Sequence, residues 1–360
     1  MGLRQLAPKL ALSLLVVLAL FLLGECGLWA AERFERDRSQ LPRFDPVLAA
    51  AEKSARLGNE KYNARFRLSK NETLIVEMDP EDPRLNSDGL RDREYSTVKP
   101  PNTVRILAVG DSLTYGHSVK AEEAYVKKLE ARLNEGAAAP RYEVINLGVG
   151  GYNTLQELEH FRQTGRKYDP DLVIIGYTLN DVLDAETFLR NINGLPPEEG
   201  ANSGIRRSRL LRWILDRTAQ VNVFGDREAY FIPLYRDPQS WGIVSDSFRE
   251  FSALGKEDGF RVLVVIFPFL DGDLATYPYG EIHEQVEGEA LANGFAVLDL
   301  RASFDGRELD EIRLAPSDPV HPNEKGYSII ASEIFSHIEK NPVPMTRGRA
   351  YPSHTGESVR

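Results

Sequence analysis

Five short apolar runs recur along the chain: Val104–Val109, Tyr142–Ile145, Leu172–Ile175, Val262–Phe267 and Phe295–Asp299. They are rich in Val and Ile and nearly continuous rather than alternating. Such runs read as strands covered on both faces, the state of strands in a parallel sheet. Helical patterns lie between them: one begins at about Glu122, others precede Val262 and Phe295, and a last one spans Asn323 to Ile338. Strands alternating with crossover helices predict an α/β fold, a doubly wound, flavodoxin-like five-stranded parallel sheet with helices on both faces. Ligands in open sheets of this kind bind beyond the carboxyl ends of the strands. The residues that directly follow each run are therefore where chemistry is expected.

The first run is followed by Gly110-Asp111-Ser112-Leu113. Ser112 stands where a nucleophile would stand, although Asp and Ser at such a place also serve as helix caps. The far end of the chain favours the chemical reading. Asp318-Pro319-Val320-His321-Pro322-Asn323 precedes the last helical pattern, and its two prolines stiffen a short loop carrying an acid and an imidazole. A serine hydroxyl needs a neighbouring base, and the base needs a partner that fixes its tautomer. The chain has six histidines, and His321 alone has this setting. His117 is a rival base by its closeness to Ser112, but no adjacent fixed carboxylate orients it, and a surface role is expected for it. Asp111 is expected to brace its own turn.

Taken together, Gly110-Asp111-Ser112-Leu113 and Asp318-x-x-His321 resemble the SGNH or GDSL hydrolase superfamily. Two further blocks fit in order between them, Asn146-Leu147-Gly148-Val149-Gly150-Gly151 and Gly176-Tyr177-Thr178-Leu179-Asn180-Asp181, each after a strand pattern. The resemblance covers roughly residues 100 to 340. It implies Ser112 as nucleophile, His321 as base and Asp318 as its orienter. It also implies an oxyanion hole of the Ser112 N–H, the Gly151 N–H and the Asn180 amide. Gly148, Gly150 and Gly151 compete for the second role, and Gly151 is chosen by its distance after Asn146. In the third block the glycine lies four residues before Asn180, where the family has one residue between glycine and Asn-Asp. The glycine block lacks the third glycine and the acidic ribose partner of a dinucleotide fingerprint, and Thr114 breaks a G-x-S-x-G elbow. No cofactor and no metal are implied.

The remaining readings concern organisation. A net charge of −10 over 360 residues argues against nucleic acid as a partner. The single Cys26 allows no internal disulfide. Arg4 and Lys9 precede the apolar run Leu10 to Leu23, a targeting pattern that leaves the basic end in the cytoplasm. Residues 1–31 are read as an uncleaved membrane anchor, with cleavage as a signal peptide open beside it. Either way the catalytic part is expected outside the cytoplasm, in a bacterial periplasm or at the outer face. Residues 32–99 read as a charged connector packing on the domain, 100–340 as the domain with an insertion at about 184–240, and 341–360 as a disordered tail. The insertion is either a pocket-shaping segment or an extra packing layer. The expected function is a serine esterase or lipase-like hydrolase acting through an acyl-enzyme on an envelope or small-molecule ester. An acyltransferase to a glycan hydroxyl and a non-catalytic binding module are the alternatives. Substrate identity and oligomeric state are not readable.

Overall fold

The computed structural model describes residues 66–136, 140–184, 227–271, 274–316 and 318–344, together with residues 21, 26 and 27. The expected anchor apart from residues 21, 26 and 27, the first half of the connector, residues 185–226 of the insertion and the tail from residue 345 lie outside the described residues. Among the described residues no helix is long and apolar enough to cross a membrane.

The five apolar runs form one parallel sheet: β3 (Thr103–Gly110), β4 (Arg141–Asn146), β5 (Leu172–Tyr177), β6 (Arg261–Ile266) and β7 (Ala296–Asp299). Two short strands, β1 (Phe66–Leu68) and β2 (Val76–Met78), precede them as an antiparallel hairpin. The strand order is β4-β3-β5-β6-β7, so the predicted doubly wound fold holds. The chain steps outward from β3 to β4, then crosses back over β3 to β5. That reversal is the topological switch point at which open sheets bind ligands.

Strand alternation sends side chains into two cores. Leu107 and Val109 of β3, with Val173, Ile175 and Tyr177 of β5, join one buried cluster; α3 (Thr154–His160), α5 (Pro238–Asp258) and α6 (Gly280–Ala292) cover it through Leu158, Phe248, Phe251 and Val286. Val104, Ile106 and Ala108, with Ile174, join the other, closed by Val126 and Leu129 of α2 (Tyr125–Leu133) and Ile330 and Ile334 of α8 (Glu324–Lys340). Each fully buried Val, Leu or Ile side chain contributes roughly 1.5–3 kcal/mol, so the two faces hold the sheet edge that carries the site.

The described end of the insertion is helical. Helix α4 (Arg227–Arg236) leads into α5, which Asp237 caps through the Ser240 N–H and Pro238 starts. Tyr235 of α4 meets Tyr177 at the end of β5, hydroxyl to hydroxyl at 2.7 Å. The Asp318–His321 segment is not a free loop. It is strand β9 (Asp318–Pro322), paired antiparallel with β8 (Arg313–Ala315), so ladder bonds add to the stiffness that the prolines supply. Arg91, ahead of the sheet, is buried and donates to the carbonyls of Tyr115, Gly116 and Val119, fixing the backbone that follows Ser112.

Candidate active site

Ser112 opens a single-turn helix, α1 (Ser112–Tyr115), at the carboxyl end of β3. Its own N–H, like any at the start of a helix, has no intrahelical partner. Asp111 caps the turn, its Oδ1 accepting from the Leu113 N–H at 2.9 Å. Ser112 Oγ lies 2.9 Å from His321 Nε2, and His321 Nδ1 lies 2.8 Å from Asp318 Oδ2. Asp318 Oδ1 accepts the backbone N–H groups of Val320 and His321, both at 3.0 Å. Burial alone would raise the Asp318 carboxyl. The hydrogen bond and charge of His321, with those two N–H groups, outweigh it and bring the pKa down to about 2. Asp318 is therefore an anion at any ordinary pH, and Nδ1 of His321 must carry the proton it accepts. In the neutral imidazole the Nε2 lone pair then faces Ser112.

The second block packs against the turn that carries Ser112. Asn146 Nδ2 donates to the Thr114 carbonyl, and Asn146 Oδ1 accepts the Gly148 N–H. A Cβ at Gly148 would lie 2.2 Å from the Tyr115 nitrogen, so only glycine permits this approach. Gly151 follows with φ of +82°, the left-handed region glycine favours.

Asn180 lies in the turn after β5. Its Nδ2 donates to Asp111 Oδ2 at 3.2 Å, and its Oδ1 accepts from the Thr178 hydroxyl at 2.6 Å. An amide nitrogen carries two hydrogens; Asp111 orients the group through one and leaves the other to point elsewhere. Asp111 thus braces its turn and also aims Asn180, a contact not visible in the sequence.

Behind this layer, three buried acids face one another. Thr178 Oγ1 lies 3.0 Å from Asp111 Oδ2 and 3.0 Å from Asp181 Oδ1. Burial and the neighbouring Asp111 push Asp181 well above the usual carboxylate range. Burial, Asp181 and Asp111 do the same to Glu157, whose two oxygens have no hydrogen-bond partner among the described residues. Both shifts favour the neutral acid, which opposes the gathering of three charges behind the serine.

His117 corrects an expectation. It is half-buried rather than free at the surface: its ring packs against that of His321, with centroids 4.3 Å apart and planes tilted by 36°. Gly116, at φ +83°, turns the chain back after α1, and the His117 N–H donates to the Ser112 carbonyl at 2.9 Å. Burial, then the neighbouring His321, lowers its pKa to about 4. The only sequence signal was a scarce residue five positions after Ser112.

The family model for GDSL-like lipases and acylhydrolases matches residues 108–329, more than half of the chain. The protein belongs to that family and is an ester-bond hydrolase. No curated protein sequence matches it. Among solved structures it is similar to an acetyl xylan esterase, at 16% identity and TM-score 0.42, over 65% of this chain and all of the other. A lipase/acylhydrolase from Enterococcus faecalis matches at 17% identity and TM-score 0.41, over 68% of this chain and all of the other. A two-domain esterase active on acetylated mannans matches at 16% identity and TM-score 0.42, over 71% of this chain and 53% of its own length.

Proposed function

We propose that the protein cleaves carboxylic esters through an acyl-enzyme on Ser112. The observation that carries this reading is the continuous chain from Ser112 Oγ through His321 to Asp318, at 2.9 and 2.8 Å. His321 Nε2 takes the hydroxyl proton as Oγ attacks the carbonyl carbon. The carbonyl π electrons move to oxygen, and the oxyanion is received by the N–H groups of Ser112 and Gly151 and the free hydrogen of Asn180. On collapse the alcohol leaves with the proton from Nε2, and Asp318 stabilises the imidazolium in between. Water then repeats the sequence in reverse and frees the acid. Each oxyanion donor of this kind is worth on the order of 3 kcal/mol.

The basic flank and apolar run Leu10 to Leu23 support export of the catalytic part beyond the cytoplasmic membrane, with envelope esters as its substrates. The test of the chemistry is hydrolysis of p-nitrophenyl esters by the full chain beside Ser112→Ala, with a fluorophosphonate probe on both. Loss of turnover and of labelling in the variant is expected. Turnover that survives Ser112→Ala would overturn the reading.

A further inference from the structure

Thr178, the residue after β5, has more acceptors around its hydroxyl than it has protons. Its Oγ1 lies 2.6 Å from Asn180 Oδ1, 3.0 Å from Asp111 Oδ2 and 3.0 Å from Asp181 Oδ1. A hydroxyl carries one hydrogen and two lone pairs. It donates to one of these oxygens, and the contacts that remain are hydrogen bonds only where a proton comes from the other side.

The neighbouring bonds locate each proton. Asn180 Nδ2 donates to Asp111 Oδ2 at 3.2 Å, so the amide turns its oxygen, which has no hydrogen, toward Thr178. Two oxygens at 2.6 Å need a hydrogen between them, and only the Thr178 hydroxyl has one to give. The lone pairs of Oγ1 then face two carboxyl groups. Asp111 has donors of its own, the Leu113 N–H on Oδ1 at 2.9 Å and the Asn180 amide on Oδ2. Asp181 is placed differently. Its Oδ2 accepts the Thr178 N–H at 3.1 Å, but among the described residues its Oδ1 meets only the Thr178 hydroxyl. The side chain is wholly buried. The titratable groups around it are Asp111 after β3, Glu157 of α3, Tyr177 of β5 and Tyr235 of α4, and none of them is a cation. An ionised oxygen facing a lone pair here would bear the cost of burial with no donor to offset it. A proton on Oδ1 removes that cost and makes the contact a hydrogen bond.

We propose that Asp181 is a positioning residue that works as the neutral acid: its Oδ1–H donates to Thr178 Oγ1, which commits the Thr178 proton to Asn180 Oδ1 and aims the Asn180 amide at the oxyanion. This rests on the reading of Asn180 as an oxyanion donor in catalysis by Ser112. Asp181 touches neither the substrate nor the reacting atoms.

The test is kcat and KM on one p-nitrophenyl ester for the full chain, Asp181→Leu and Asp181→Asn. Leucine keeps the bulk and removes the proton, which frees the Thr178 hydroxyl to turn toward Asp111. The kcat should fall at least about 10-fold with KM little changed, the mark of an interaction made only in the transition state. Asparagine presents its carbonyl to the Thr178 N–H and its own N–H to the hydroxyl, the pattern of the neutral acid, and should restore kcat to within about 3-fold of the wild type. The infrared difference between wild type and Asp181→Asn at neutral pH should contain the carbonyl stretch of one protonated carboxyl. An asparagine variant that falls as far as the leucine variant, a leucine variant with full kcat, or a difference spectrum showing a carboxylate instead would each overturn the proposal. If Asp181→Leu does not fold, the asparagine variant and the infrared band decide it. Failure of the underlying reading looks different: turnover would survive Ser112→Ala, or Asn180→Ala would keep full kcat, whatever the state of Asp181.

Discussion

The molecule contains two aspartate–histidine pairs of nearly the same wiring. In one, His321 holds Asp318 at 2.8 Å through Nδ1 and Ser112 Oγ at 2.9 Å through Nε2. In the other, His283 of α6 holds Asp299 of β7 at 3.1 Å through Nδ1 and the Tyr277 hydroxyl at 3.2 Å through Nε2. Each imidazole also has an aromatic neighbour, His117 at 4.3 Å and Tyr277 at 5.2 Å. What differs is the outlet. The His321 and Asp318 side chains are 20% and 24% exposed, whereas His283 is wholly enclosed. Tyr277 already accepts the Phe269 N–H, and burial pushes its hydroxyl far up. Asp299 is shared with Arg301. A relay that runs through an enclosed imidazole to an already bonded phenol is a brace. The same relay ending in a half-open serine beside unspent N–H donors can do chemistry.

Isosteric substitution separates the two most sharply. Asp318→Asn keeps an oxygen for the Val320 and His321 N–H groups but presents an amide to Nδ1. His321 must then carry its proton on Nε2, facing Ser112, and the base is lost. A fall of roughly 10⁴ in kcat with little change in melting temperature is expected. Asn180→Ala is next, a loss of about 10²–10³ in kcat measured on the same ester. Asp299→Asn should leave kcat within a few-fold and cost about 1–3 kcal/mol in denaturant unfolding, the loss of a charged hydrogen bond in a buried setting. A catalytic collapse in Asp299→Asn with a silent Asp318→Asn would reverse the assignment of the two pairs.

The sequence exposes one pair and hides the other for a physical reason. Asp318 and His321 lie three residues apart on a segment stiffened by Pro319 and Pro322, so local stiffness brings them together. His283 and Asp299 meet only because α6 packs on β7. The same division runs through the site. The strand runs, Ser112, and the placing of the glycine and Asn-Asp blocks beyond strand ends all follow from patterns a few residues long. The grip of Asp111 on Asn180 and the packing of His117 on His321 are juxtapositions across the sheet edge. No periodicity encodes them. The β8–β9 pairing was likewise hidden, because two prolines in five residues argue against a strand unless it is short and at an edge.

The smallest effect concerns the aromatic neighbour of His321. The folded-state pKa of His117 is about 4, below the ordinary histidine value, through burial and then His321. Between about pH 6.5 and 4 the unfolded chain takes up a proton on this residue that the folded chain refuses. Stability therefore falls as pH drops through that window and is fully regained above it. His117→Phe keeps the ring against His321 and removes the titration, so its unfolding free energy should fall less between pH 7.5 and 4.5, by on the order of 1 kcal/mol. Denaturant titrations of both proteins at the two pH values measure it. Equal losses would mean that His117 protonates as freely when folded as when unfolded. The contact would then leave the second imidazole open to solvent, and the Asp318–His321 pair would differ from its enclosed counterpart even more than the structure indicates.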